Sequence, residues 1–251
     1  MGESTSFSDH FTSSAKRYSQ FRPEYPDDMF QYLASMCDTH ERVWDCATGS
    51  GQAARKFTPY FDSVVASDAS YEQTRNAESI EGLSYLSCLA EQTPFQNHCF
   101  DLISVAQAAH WFRLEEFYIE VKRLLKPQGV LAVWTYNLMR INPDVDEIIW
   151  HLYNDVLGAY WPFERKLVEN GYRDLYFPLQ KITVPKFSMS LDWSFDHLLG
   201  YLSTWSAVKR YREKNKSDPV ERLSTKLQSA WGNETVRSID WPLSIRAGHM
   251  N

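Results

Sequence analysis

The segment Val43-Trp44-Asp45-Cys46-Ala47-Thr48-Gly49-Ser50-Gly51-Gln52-Ala53 constrains this chain more than any other. A short apolar run, Arg42 to Cys46, breaks at glycines and gives way to a helical stretch, the pattern of a strand, a tight turn and a helix. Small residues at 47, 49 and 51 let the backbone turn sharply and approach a ligand, whose polar groups then meet the amides at the following helix N-terminus. An ordinary strand-to-helix turn fits the glycines equally well, so the rest of the chain decides what the turn serves.

The surrounding pattern alternates. Phe30, Leu33, Ala34 and Cys37 recur at helical spacing after Pro26, which predicts a helix over 27–37 leading into the first strand. Residues 63–67 read as a second strand ending at Asp68, about twenty residues beyond the glycine turn, which is the spacing of a strand-helix-strand unit. Residues 83–86, 100–106 and 130–134 read as further strands. Between the last two lies a helix over 114–125, whose Phe117, Val121 and Leu124 share a face and which Pro127 and Gly129 stop. After Asn137 the alternation loosens through Pro143, Gly158, Pro162 and Gly171; a strand is expected near 182–187, helices over 195–212 and 219–231, and a last strand over 238–245. The expected organisation is one domain over 1–251, with N-terminal helices over 1–40, a cofactor-binding core over 41–136, and a substrate cap with the final strands over 137–251.

Composition narrows the function. With 26 basic against 32 acidic residues the net charge is -6, which offers no uniform positive field for a phosphate backbone and argues against nucleic acid as partner. No run approaches the ~18 to 20 apolar residues of a membrane span. The first residues also lack the apolar stretch of a secretory signal, so a cytoplasmic chain without a membrane partner is expected. Cys37, Cys46, Cys88 and Cys99 stand apart, without a Cys-x-x-Cys pair or a histidine at zinc-ligand spacing; they read as free thiols, and no metal is expected. The nine Trp, 14 Tyr and 14 Phe serve a core, and they also suit an aromatic-lined pocket for an apolar or planar ligand.

The glycine segment resembles the signature Asp/Glu-x-Gly-x-Gly-x-Gly of class I S-adenosylmethionine (AdoMet)-dependent methyltransferases. Asp45, Ala47, Gly49 and Gly51 match it in order, with Ala47 in place of the first glycine. The resemblance implies a Rossmann-like, seven-stranded, mostly parallel sheet flanked by helices, with AdoMet as cofactor and S-adenosylhomocysteine as product. Asp68 then offers a carboxylate to the ribose diol. NAD binding by an oxidoreductase is the rival on these residues alone, because Gly49, Gly51 and Ala54 also approximate Gly-x-Gly-x-x-Gly/Ala.

Downstream residues favour AdoMet. Leu89-Ala90-Glu91-Gln92-Thr93-Pro94-Phe95, followed by Phe100-Asp101-Leu102-Ile103, resembles the family's Asp-Ala-Glu-x-x-Pro-Phe adenine-binding turn. Here Leu89 replaces the adenine-contacting acid and offers apolar packing to the ring, which leaves the exocyclic amine to backbone groups. Arg123-Leu124-Leu125-Lys126-Pro127-Gln128-Gly129 resembles the family's turn before the fifth strand, so the matches run in order over residues 40–135. A non-catalytic AdoMet-binding regulator is the third reading, and a methyl-transfer assay separates it from an enzyme.

Two more segments are similar to the trans-aconitate methyltransferase-like small-molecule enzymes: Tyr18 to Pro26, with its Tyr-x-x-x-Arg-Pro-x-Tyr-Pro pattern, and Gln107-Ala108-Ala109-His110-Trp111-Phe112. This resemblance implies a small-molecule acceptor methylated on a carboxylate or hydroxyl oxygen. It places Tyr18, Arg22 and Gln107 at the cofactor; the Arg22 guanidinium suits the methionyl carboxylate or an acidic acceptor, although a solvated arginine in a Pro-rich turn is also consistent. His110 and Trp111 fall beyond the fourth strand at the mouth of the site, Trp111 as a wall or core aromatic and His110 as a positioning group, a base or a structural hydrogen-bonding residue. Leu199 to Ala207 resembles the Gly-Tyr-x-x-Thr-Trp-Ser segment of the same enzymes, which implies that Tyr201 and Trp205 border the acceptor, though helical aromatics equally build cores. Residues 160–163 fit another wall or a packed turn. A carboxylate acceptor needs no base, so His110 is expected to position.

Overall fold

The computed structural model describes residues 20–249. Helix α1 (Asp27–Ser35) precedes strand β1 (Arg42–Cys46), and α2 (Ala54–Phe57) connects to β2 (Ser63–Asp68). Then α3 (Tyr71–Arg75) leads to β3 (Leu83–Ser87), while β4 (Phe100–Ala106) passes through α4 (Leu114–Leu124) to β5 (Leu125–Tyr136). These five strands pair in parallel. The short β6 (Gln180–Ile182) and the final strand β9 (Leu243–His249) complete the sheet in the order β3-β2-β1-β4-β5-β9-β6, with β9 antiparallel to both of its neighbours. The result is the expected seven-stranded, mostly parallel Rossmann-like sheet.

Parallel strands buried on both faces need near-continuous apolar runs, and these strands have them. In β5, Val130, Ala132 and Trp134 enter one core while Leu131 and Val133 enter the other. The first core is closed by Met29, Phe30 and Leu33 of α1 and Phe57 of α2, the second by Phe117, Val121 and Leu124 of α4. The C-terminal half adds α5 (Pro143–His151), which runs into a π-helical turn at Leu152–Val156, then the short α6 (Arg165–Glu169). Three more helices, α7 (Phe195–Ser203), α8 (Ser206–Asn215) and α9 (Pro219–Trp231), follow. Proline opens α5 and α9, and Asn142 and Asp218 cap them.

The structure departs from the sequence expectations mainly in this half. The strand expected over 182–187 is Gln180–Ile182, and the chain leaves the sheet before Pro185, which has no amide hydrogen for the ladder. The helix expected over 195–212 is two helices, because Trp205 is extended and the Thr204 hydroxyl donates to the Tyr201 carbonyl at 2.6 Å. The strand expected over 238–245 divides at Trp241-Pro242: β8 (Arg237–Asp240) pairs antiparallel with β7 (Ser190–Trp193) in a separate ribbon, and β9 starts beyond the proline. Strand β5 begins earlier than expected, and its register with β4 slips between Phe100–Leu125 and Leu102–Val130. Among the described residues no helix is long and apolar enough to cross a membrane, and no group of three or more His, Cys, Asp or Glu side chains could hold a metal ion.

Candidate active site

The turn after β1 is held from beneath. Asp45 is fully buried, and its Oδ1 accepts from Ser104 Oγ at 2.7 Å, the residue opposite it in the β1–β4 ladder. Its Oδ2 accepts from Thr48 Oγ1 at 2.6 Å, while the Thr48 amide donates to the Ser67 carbonyl at 2.9 Å. Burial pushes the Asp45 carboxyl up to about 6, against the downward pull of the two hydroxyls. Over this support Ala47 takes φ +55°, a left-handed conformation uncommon for any residue with a Cβ.

The two glycines serve different ends. Gly49 has φ +57°, and a Cβ built on it would meet nothing within 4 Å, so its missing side chain leaves open space above the turn. Gly51 has φ +83°, and a Cβ there would overlap the Tyr85 hydroxyl and lie 3.0 Å from the ring.

Asp68 ends β2 with its carboxylate turned toward this space: Oδ2 accepts from the Gly49 amide at 2.9 Å and Oδ1 from the Ser70 amide at 2.8 Å. The Cys88 amide donates to the Asp68 carbonyl at 3.1 Å and brings in the 88–95 turn. Within that turn Ala90 is buried and Leu89 is 42% exposed. Glu91 points elsewhere, its Oε1 accepting from the Arg113 amide at 2.8 Å at the start of α4. Glu120 and Arg123 of α4 pin the turn from behind, through bonds of 2.8 Å from the Thr93 amide and 2.6 Å to the Phe95 carbonyl.

Gln107, just after β4, has φ +55° and donates from Nε2 to the Tyr136 carbonyl at 3.2 Å. Arg22 donates to Tyr136 Oη at 3.1 Å and lies 5.4 Å from the Tyr201 ring centroid. Gln52 Nε2 donates to the Pro23 carbonyl at 2.8 Å, tying this segment to the glycine turn. Ala47, Gly49, Asp68, Gln107 and Arg22 therefore gather at the carboxyl ends of β1, β2, β4 and β5, around the point where strand order reverses between β1 and β4. Tyr18 lies outside the described residues.

His110 sits in the 3₁₀ turn Ala109–Trp111, with Nδ1 2.7 Å from Tyr172 Oη and its ring 4.7 Å from that of Trp111. Desolvation, and then the charge of Arg165, bring its pKa down to about 3. Trp111 is 39% exposed. Tyr201 and Trp205 are only 3% and 5% exposed, in an aromatic cluster with Trp193, Trp241 and Trp161. Thr48, Ser104, Tyr85, Tyr172 and Arg165 are absent from the sequence expectations. A hydroxyl three residues after Asp45 could have flagged Thr48, but Ser104 and Tyr172 are brought in only by register and packing.

A profile of the methyltransferase domain family matches residues 44–133. Over 247 residues the chain is 33% identical to a methyltransferase-family protein of Dictyostelium discoideum, covering 95% of this chain and 94% of that one. This chain is an AdoMet-dependent methyltransferase. The methyltransferase is also 38% identical to a protein from Anaeromyxobacter dehalogenans solved as a type II methyltransferase, with a TM-score of 0.85 over 91% of this chain and 98% of that one. Bacillus subtilis YcgJ shares the fold at TM-score 0.50 and 20% identity, over 90% of this chain and 99% of that one. The open space over Gly49, with the Asp68 carboxylate beside it, fits AdoMet, and with the family shown the rival assignment to an NAD-dependent oxidoreductase falls away.

Proposed function

We propose that this methyltransferase acts in the cytoplasm on a small molecule and methylates a carboxylate or hydroxyl oxygen, a carboxylate before a hydroxyl. The observation that carries the preference is the state of His110. A general base works best with a pKa near the working pH, and a histidine held near 3 with one ring nitrogen engaged by Tyr172 is suited to positioning. An acceptor that is already ionised needs nothing more.

Asp68 is assigned to the ribose diol, Leu89 and Ala90 to the adenine ring, and Arg22 to the methionyl carboxylate. Asp45, Ala47, Gly49, Gly51 and Gln107 shape the backbone around the cofactor. Glu91 acts through its hold on Arg113. When bound, AdoMet supplies a methyl group on a cationic sulfur, open to in-line attack by an acceptor oxygen. The protein's part is to position and to exclude water: alignment of reacting groups can lower a barrier by about 7 to 11 kcal/mol, and an aromatic, poorly screened pocket strengthens the attraction between an anionic acceptor and the sulfonium. The reading takes the chain as one domain, with residues 137–249 supplying the acceptor side.

A panel of small acids, alcohols, amines and thiols incubated with isotopically labelled AdoMet tests the proposal. The expected product is a methyl ester that mild base returns to the acid. Labelled amine or thioether products only, or a label found on macromolecules alone, would sink it.

A further inference from the structure

The segment around Arg165 carries chemistry that none of the assignments above uses. Helix α6 packs on the Ala109–Trp111 turn, so Arg165 lies close enough for its charge to act on His110. Its guanidinium is held by Tyr153 and Trp161. Nε donates to Tyr153 Oη at 2.8 Å, and the guanidinium carbon lies 4.9 Å from the Trp161 ring centroid and 5.4 Å from that of Tyr153. The rings are themselves braced: Trp161 Nε1 donates to the Tyr153 carbonyl at 2.9 Å, and both rings pack on Trp205, at 5.7 Å from Tyr153 and 5.6 Å from Trp161.

What Arg165 lacks is an acid. The nearby Glu169 accepts from Tyr153 Oη at 2.6 Å, and among the described residues no carboxylate reaches ion-pair distance of Arg165. Other arginines are matched: Arg123 with Glu120 at 2.6 Å, Arg212 with Asp218 at 2.5 Å. Neither terminal nitrogen of Arg165 has a hydrogen-bond partner among the described residues. A half-buried guanidinium whose Nε is engaged, which lies beside two rings packed on each other, and whose terminal nitrogens have no protein partner among the described residues, is preorganised for the two oxygens of a carboxylate. Its planar fork can meet both oxygens of a carboxylate at once, which an ammonium in the same place could not do.

We propose that Arg165 anchors a carboxylate of the methyl acceptor, which makes this enzyme selective for carboxylic acids over their uncharged analogues. The proposal rests on the reading that the acceptor binds beside the His110–Trp111 turn. It adds a specificity-determining residue on the acceptor side and narrows the substrate class to organic acids.

The full chain is first titrated calorimetrically with AdoMet. Saturated with S-adenosylhomocysteine, it is then titrated with mono-, di- and tricarboxylic acids, each paired with its primary amide, and methyl transfer to the same compounds is read by mass spectrometry. At least one acid should bind and be methylated while its amide is not. Arg165→Gln should weaken that acid by about 10-fold to 100-fold in both Kd and KM, the range of a lost hydrogen bond to a charged group. Its kcat should change by less than about threefold and its AdoMet affinity should hold, and Arg165→Lys should recover only part of the loss. Tyr153→Phe keeps the charge but removes the bond that orients it, so a smaller loss of about threefold to tenfold is expected there, and it decides the matter if Arg165→Gln does not fold. An unchanged acid Kd in Arg165→Gln or, where that variant does not fold, in Tyr153→Phe would overturn the proposal. Amides that bind as well as acids, or no acid binding to protein that still takes AdoMet, would do the same. Wild-type protein that fails to bind AdoMet would strike the underlying assignment of the site instead.

Discussion

The two sides of the proposed site are built by different means. On the proposed cofactor side, residues 42–136 rest mainly on backbone: left-handed turns at Ala47, Gly49 and Gln107, amides turned toward Asp68, and a buried carboxylate beneath them whose oxygens are taken up by Thr48 and Ser104. On the proposed acceptor side, residues 137–249 offer large side chains: Trp205 meets Tyr153 and Tyr201 edge to face, Trp161 is tilted against Tyr153, and Arg165 lies beside Tyr153 and Trp161. A backbone cradle depends on a few conformations that only certain residues tolerate. A side-chain wall depends on volume and can be rebuilt around a different ligand, which is why one sheet can serve one cofactor and many acceptors.

If that contrast is right, the largest single loss comes from the aromatic wall and is one of stability. Trp205→Ala should cost about 3 to 5 kcal/mol in denaturant unfolding, as for other buried large-to-small changes, with AdoMet affinity of the folded protein little changed. A stable Trp205→Ala protein with a raised acceptor KM would instead put the ring in contact with the acceptor.

Gly49→Val should act in the opposite way. The branched side chain enters the open space at φ +57°, where backbone strain alone is about 1 to 3 kcal/mol. AdoMet affinity should fall by roughly 100-fold or more. Normal calorimetric titration in this variant contradicts the cradle. Asp68→Ala should be milder, weakening AdoMet by about 1.5 to 3 kcal/mol without unfolding, as for hydrogen bonds to a charged group. Unchanged affinity removes Asp68 from the site.

Two buried groups near the proposed site carry opposed pH dependences. Asp45 has a folded pKa of about 6 against an ordinary 3.8, so the fold binds this proton more readily than the unfolded chain, and its contribution to stability falls as pH rises through that window. His110, near 3 against 6.5, does the reverse: the unfolded chain is protonated first, and stability is lost as pH falls below about 6.5. Asp45→Asn should therefore steepen the loss of stability on acidification between pH 6 and 4, and His110→Asn should flatten it, each by about 1 to 3 kcal/mol. Melting temperatures recorded across pH 4 to 8 that run parallel to wild type in both variants would refute the assignment. The smallest effect is expected in turnover. His110→Asn should change kcat by less than about threefold and leave no limb near pH 6.5, whereas a base would show a loss of about 100-fold or more.

Much of the cofactor side was legible in the chain itself. The strand, glycine turn and acid of Val43 to Asp68 are contiguous signals, each set by the conformations its own residues allow, and the structure has the turn and the flanking strands where they were expected. Pro242 was an equally local signal: an imide without an amide hydrogen inside an expected strand marks its end, and the structure divides there into β8 and β9. Other features have no such local trace. Ser104 reaches Asp45 because β4 pairs with β1 in one particular register, Tyr85 covers Gly51 because β3 lies beyond β2, and Arg165 meets the His110 turn because α6 packs there after a π-helical turn and a loop. By itself the sequence determined the sheet, the turn and the cofactor, since those follow from short stretches of chain with restricted torsions. Tertiary structure alone decided which hydroxyls satisfy the buried acid and which guanidinium packs by the His110 turn, because side chains distant in sequence meet only where register and packing volume bring them together.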